Sequence, residues 1–94
     1  MEITVVDNPE LNRFEALLAT GEVAGFALYR KSDRLIVFTH AEVFDQYEGE
    51  GVGSTLAKES LDQARAAGLT VQPRCPFYKA FIERHPEYAD LVTP

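Results

Sequence analysis

The sequence predicts an α+β domain built on a mixed, mainly antiparallel sheet in the order β-β-β-β-α-β-α, and three observations predict it. The first half consists of short runs of β-branched and aromatic residues separated by turn residues. After Asp45 the apolar pattern changes to a helical period, and a glycine-rich segment stands at the changeover. Ninety-four residues, 46% hydrophobic and 26% charged, suit a single globular domain over 1–94, because so short a chain cannot divide its apolar side chains between two cores.

Ile3 to Val6 is the first strand, and Asn8-Pro9-Glu10 turns the chain. Arg13 to Ala19 is the second, and Thr20-Gly21-Glu22 is a hairpin signal that leads into Val23 to Lys31. Ser32-Asp33-Arg34 makes another tight connection to Leu35 through Val43, the fourth and most apolar strand. Links this short make consecutive strands antiparallel neighbours. Val52, Leu56, Ala57, Ser60, Leu61, Ala64 and Ala67 then recur at helical spacing, with Lys58, Glu59, Asp62, Gln63 and Arg65 on the other face. Gly68 suits a helix C-terminal stop. Leu69 to Gln72 has room for a short strand that Pro73 ends. Pro76 opens a last helix through about Arg84, since the missing N–H of proline costs nothing in a first turn. His85 precedes Pro86, which disfavours continuation of that helix.

Nine Lys plus Arg against fifteen Asp plus Glu give a net charge of −6, which repels a phosphate backbone and offers no polybasic anchor for anionic lipid. Neither nucleic acid nor a membrane surface is expected as a partner. One cysteine cannot close an intramolecular disulfide, and Met1-Glu2-Ile3-Thr4 has neither a basic region nor an apolar leader. No apolar run reaches the roughly 18 residues of a membrane span, so a cytoplasmic location is expected.

Tyr47-Glu48-Gly49-Glu50-Gly51-Val52-Gly53-Ser54 joins the fourth strand to the long helix. Glycines at alternate positions let the backbone bend sharply and expose consecutive amides at a helix N-terminus, which serves either as an anion site or as a plain turn. A P-loop needs Lys before the Ser or Thr that follows its last glycine, and here Gly53 runs straight into Ser54-Thr55. A dinucleotide fingerprint follows the first strand of a βαβ unit, whereas four strands precede this loop.

Glu48-Gly49-Glu50-Gly51-Val52-Gly53, after a strand and opening a helix, resembles the pyrophosphate loop of the GCN5-related N-acetyltransferase superfamily. With Thr39-His40-Ala41-Glu42-Val43, Cys75-Pro76-Phe77 and Arg84-His85-Pro86-Glu87-Tyr88, in this order over most of the chain, it is similar to the compact YjdJ/NATD1-type acetyltransferases. The resemblance implies acetyl-coenzyme A (acetyl-CoA) as cofactor. Its pyrophosphate is expected on the amides of Gly49, Glu50, Gly51, Val52, Gly53 and Ser54, and its pantetheine arm along the strand end at Glu42, Val43 and Phe44. The resemblance also implies a fourth and fifth strand splayed apart to admit the thioester, with His40 and Cys75 near the reaction centre and Cys75, Phe77 and Lys79 in contact with the cofactor. Loops of the superfamily usually begin with Gln or Arg, and Glu48 and Glu50 stand here instead. Two carboxylates weaken pyrophosphate binding unless both point outward; Lys58, Arg74 and Lys79 are the basic groups available to compensate. Larger members insert helices between the first two strands, where this chain has only the turn from Asn8 to Asn12, so the acceptor side is expected to be open.

Cys75 stands before Pro76 at the expected N-cap of the last helix, with Arg74 beside it, and both features stabilise thiolate. Two readings stay open: a nucleophile that takes the acetyl group from the thioester and passes it on, or a structural cysteine packed beside the cofactor. Under strict alternation His40 shares a face with Phe38 and Glu42, opposite Val37, Thr39 and Val43. An alkyl ammonium of pKa about 10.4 has to lose a proton before it attacks a thioester; His40 is a candidate base and Glu42 the alternative. His85 is read as a helix cap, and Phe77, Tyr78 and Phe81, at helical spacing, as core. Cys75, His40 and His85 are not at ligand spacing, so no metal site is expected. The function expected is acetyl transfer from acetyl-CoA to an amine, on a peptide or a polyamine. The rivals are a non-enzymatic acyl-CoA-binding module and an interaction domain that offers its first strand as a sheet edge.

Overall fold

The computed structural model describes residues 2–93. One sheet runs in the order β1 (Ile3–Asn8), β2 (Arg13–Leu18), β3 (Val23–Ser32), β4 (Leu35–Val43) and β5 (Thr70–Pro73). Helix α1 (Val52–Ala66) links β4 to β5, and α2 (Pro76–Arg84) follows. Two short 3-10 helices, Asp45–Tyr47 and Pro86–Leu91, add to the elements expected from sequence. The three hairpins pair antiparallel, as their short links require, and β5 lies parallel to β4 after the crossover through α1. Pro73 belongs to β5 and pairs with Phe38, a position at a strand's end where a missing donor is tolerated. None of the helices described is long and apolar enough to cross a membrane.

Both helices pack on one face of the sheet. Helix α1 buries Val52, Leu56, Ala57, Leu61 and Ala64, while Ala67, expected on the same stripe, lies exposed at the cap. Gly68, at φ +74°, closes α1: its amide bonds Arg65 O at 3.0 Å and the next, Leu69, bonds Ala64 O at 3.0 Å. From α2, Tyr78 stacks flat on Phe38 with centroids 4.1 Å apart, and its hydroxyl shares a 2.7 Å hydrogen bond with Ser60 of α1. Burial raises the Tyr78 pKa well above that of an ordinary phenol, so the group stays neutral and hydrogen-bonded.

Strand β4 departs from strict alternation. Leu28 pairs with His40 but its neighbour Tyr29 pairs with Phe38, so Thr39 is an extra residue bulged out of the ladder. The bulge shifts the phase of the strand. Ile36 and Phe38 enter the core before it, Ala41 and Val43 pack against the core after it, and His40 and Glu42 face the side without helices. The expected sharing of a face by His40 and Phe38 is therefore corrected. The sharing by His40 and Glu42 holds, with Nε2 and Oε1 3.7 Å apart.

The β4–β5 ladder ends at the same point. After the Phe38–Pro73 pair, the Phe38 carbonyl accepts hydrogen bonds from the amides of both Arg74 (3.0 Å) and Cys75 (2.9 Å), and the chain turns away into α2. From Thr39 to Val43, β4 keeps β3 on one side and, among the described residues, has no strand on the other. A split between β4 and β5 results.

Candidate active site

The 3-10 helix after β4 carries the chain away from the sheet and is closed by short-range bonds, Tyr47 N to Phe44 O at 2.9 Å and Glu48 N to Asp45 O at 3.2 Å. Gly49 and Gly51 sit at φ +83° and +79°, a region that side-chain-bearing residues adopt only with strain. Gly51 caps α1 with no side-chain hydrogen bond, and the first helical amide to find a partner is that of Thr55, on Gly51 O at 3.0 Å. The amides of Gly51, Val52, Gly53 and Ser54 thus have no acceptor among the described residues, at the positive end of a fifteen-residue helix.

These amides close one end of a trough. Three adjoining hollows of about 670, 370 and 220 Å³ all border Val43 and Glu48 and together run from Glu42 and Phe44 past Leu56 to Gly49–Ser54. Phe77, 36% exposed, forms the wall contributed by α2. Gly53 lets the three elements meet, since a Cβ there would lie 3.0 Å from the Phe77 ring and 3.5 Å from Val43 Cγ2. A separate depression of about 420 Å³ bordered by Asn12, Leu28, Arg30 and Thr39 does not touch the loop.

Of the residues expected to hold the cofactor, Glu42, Val43, Phe44, Gly49, Gly51, Val52, Gly53, Ser54 and Phe77 border the trough. Glu50, Cys75 and Lys79 do not; Cys75 is buried and Lys79 lies on the exposed side of α2. The two loop carboxylates differ, because Glu48 borders all three hollows. Among the described residues no Lys, Arg or His borders the trough. Lys58 is taken up by Asp62 at 2.9 Å and Glu59 at 3.5 Å, and Arg74 Nε reaches Gln72 at 3.4 Å. The residues therefore suit a diphosphate through backbone amides and an apolar arm through Ala41, Val43, Leu56 and Phe77. They offer no cationic side chain to it. Ala41, Tyr47 and Leu56 are additions that sequence reasoning missed; the phase change in β4 is the signal that pointed to Ala41.

Cys75 is the N-cap of α2, as expected, and is 3% exposed within the core cluster on the helix side. His40 and Glu42, with side chains 57% and 50% exposed, lie on the open face, where Phe26 packs 6.3 Å from His40. The bulge thus sends His40 and Cys75 to opposite sides of the sheet rather than together. His85 caps as expected: its Nδ1 donates to Phe81 O at 2.8 Å, and its ring stacks on Phe81 at 4.0 Å. No cluster of three metal-ligating side chains occurs among the described residues.

The fold is thus an α+β sheet that parts between β4 and β5 beside a glycine-capped helix whose first amides have no partner among the described residues. The family model described as GCN5-related N-acetyl-transferase matches residues 13–91, and the chain belongs to that family. The bovine protein NATD1 is similar at 30% identity over 63 residues, which is 65% of this chain and 56% of NATD1, so the match spans little more than half of that relative. A solution structure from Staphylococcus aureus, described as GCN5-like, superposes with a TM-score of 0.68 at 28% identity over 98% of this chain and 87% of that one. Ard1 from Thermoplasma volcanium superposes at 0.57 with 25% identity, covering 71% of this chain and 45% of its own.

Proposed function

We propose that this chain is an acetyl-CoA-dependent N-acetyltransferase that acts on an amine at the split between β4 and β5. The observation that carries this reading is the continuous trough from Glu42 to the partnerless amides of Gly51–Ser54. Acetyl-CoA, when bound, supplies a thioester carbon open to attack by an amine. The amides at the start of α1 hold its diphosphate, and Ala41, Val43, Leu56 and Phe77 line the path of its pantetheine arm. Glu42, half exposed and next to His40, accepts the proton that the acceptor ammonium has to lose, and His40 relays it to water. The burial of Cys75 favours a thiol that packs beneath the split over one that carries acetyl.

Mass spectrometry of the intact protein after mixing with acetyl-CoA, together with turnover on a polyamine and on a lysine peptide, tests this. Turnover with no acetylated protein is expected, and Cys75→Ala should stay within about threefold of the parent. An acetyl adduct lost in Cys75→Ala would instead make Cys75 the relay. Binding of coenzyme A without transfer or hydrolysis would make the chain a binding module.

A further inference from the structure

The depression of about 420 Å³ lies away from the trough, bordered by Leu11, Asn12, Leu28, Arg30, Lys31 and Thr39. Phe26, Leu28 and Arg30 alternate along β3 with Ala27 and Tyr29, which are buried in the core, and so stand on the open face of the sheet with His40 and Glu42. Leu28 is the cross-strand partner of His40, and Thr39, bulged out of β4, borders the depression beside it. Another wall is the turn between β1 and β2, held against β3 by a 2.9 Å bond from Tyr29 N to Asn12 O. Asn12 takes φ +52°, a left-handed conformation that asparagine tolerates better than most residues. Leu11 and Phe77 are the exposed large apolar side chains among the described residues; Phe77 walls the trough and Leu11 borders this depression.

Charge selects the occupant. Among the described residues two cations and no carboxylate border the depression, on a chain of net charge −6. Lys31 is partly engaged, with Asp7 at 3.7 Å and the Tyr29 ring 5.2 Å from its ammonium. Arg13, the cross-strand partner of Leu28, is bonded to Glu15 at 2.8 Å. Arg30 is exposed and has neither an ion pair nor a side-chain hydrogen bond among the described residues, so its planar fork is free for a carboxylate. Glu42 pairs with Phe26, and Arg30 stands four positions further along β3, about 13 Å at the rise of a strand. A free amino acid is too short to bridge that span, and a polyamine has no carboxylate to offer. Two or three residues of extended peptide cover about 7–10 Å of it, and side chains cover the rest. We propose, building on the acetyltransferase reading above, that this depression holds an acidic side chain of a peptide acceptor, two or three residues from the lysine whose amine meets Glu42. Arg30 is the partner of that carboxylate, and Leu11 is the apolar contact beside it.

Initial rates of the full chain with acetyl-CoA test this on lysine peptides that carry Glu, Gln or Lys two and three residues to either side, and on spermidine. The Glu peptide should show a kcat/KM about fivefold above that of the Gln peptide, carried by KM because the contact lies away from the reacting atoms. The ratio should shrink as salt is raised. Arg30→Gln should bring it to about one, Arg30→Lys should keep part of it, and Arg30→Glu should favour the Lys peptide. Each ratio is taken within one protein and is therefore independent of the fraction folded. Equal turnover of the Glu and Gln peptides by the parent, or a ratio that survives Arg30→Gln, overturns the subsite. Acetylation of spermidine alone also overturns it and leaves the acetyltransferase reading standing. If none of the acceptors is acetylated, that reading fails as well, an outcome distinct from the others.

Discussion

A carboxylate beside the amides proposed to hold a diphosphate would oppose that ligand's charge, and Glu48 borders every part of the trough while Glu50 borders none. At surface separations of several ångströms such opposition is worth about 1 kcal/mol. Glu48→Gln should therefore tighten coenzyme A binding by about fivefold in calorimetry, and Glu50→Gln should change it less than about twofold. Gly25 on β3 is constrained in another way: a Cβ there would lie 2.7 Å from the Glu42 carbonyl oxygen and 3.3 Å from Val43 Cα. Both are backbone atoms, which cannot swing aside as the end of a side chain can. Gly25→Ala should cost about 1–3 kcal/mol in urea unfolding, and by moving the strand end at Glu42–Val43 it should also weaken coenzyme A binding.

The two helices are joined by the buried hydrogen bond between Tyr78 and Ser60, and Ser60 Oγ in turn donates to Ala57 O at 3.1 Å. Tyr78→Phe leaves no orphaned group, so it should lower stability by only about 1 kcal/mol in denaturant titration and keep the Phe38 stack. At this scale the sequence was a good guide wherever local chemistry decides. Turn residues delimit the hairpins, and apolar spacing from Val52 to Ala64 with Gly68 beyond it delimits α1. The glycine loop was legible for the same reason. The bulge at Thr39 was written only as a phase change: Ile36 and Phe38 are followed by the polar pair Thr39-His40 and then by Ala41 and Val43. Strict alternation reads through such a change and so puts His40 on the face of Phe38, whereas the bulge turns it to the other. The helix at Pro86–Leu91 has no period to read. Long-range bonds hold it, from Arg65 to Asp90 at 2.8 Å and to Glu87 O at 2.8 Å, and from Tyr88 to Asp62 at 2.8 Å. The meeting of Val43, Gly53 and Phe77 likewise depends on three elements far apart in the chain.

Over the whole molecule, acidic groups govern both stability and ligand approach. Partial burial pushes the Asp62 carboxyl up, but hydrogen bonds from Lys58 and Tyr88 outweigh it and leave the pKa below the ordinary value. The bond from Arg65 lowers that of Asp90. A carboxyl depressed in the folded state adds stability above its unfolded pKa and loses that stability as pH falls through the folded value. The thermal midpoint should accordingly hold between about pH 7 and 5 and fall below about pH 4, and Asp62→Asn should blunt the fall. Ligand approach depends on the net charge of −6, which repels any phosphorylated cofactor before the local amides can attract it. Net-charge repulsion acts across the Debye length, about 30 Å at 0.01 M salt and about 8 Å at 0.15 M, whereas helix-end amides act only on contact. Raising salt over that range should therefore speed coenzyme A association severalfold in stopped-flow measurements and leave dissociation almost unchanged. Association that slows with salt would mean that the field at the α1 N-terminus reaches beyond the surface and steers the ligand despite the acidic body around it.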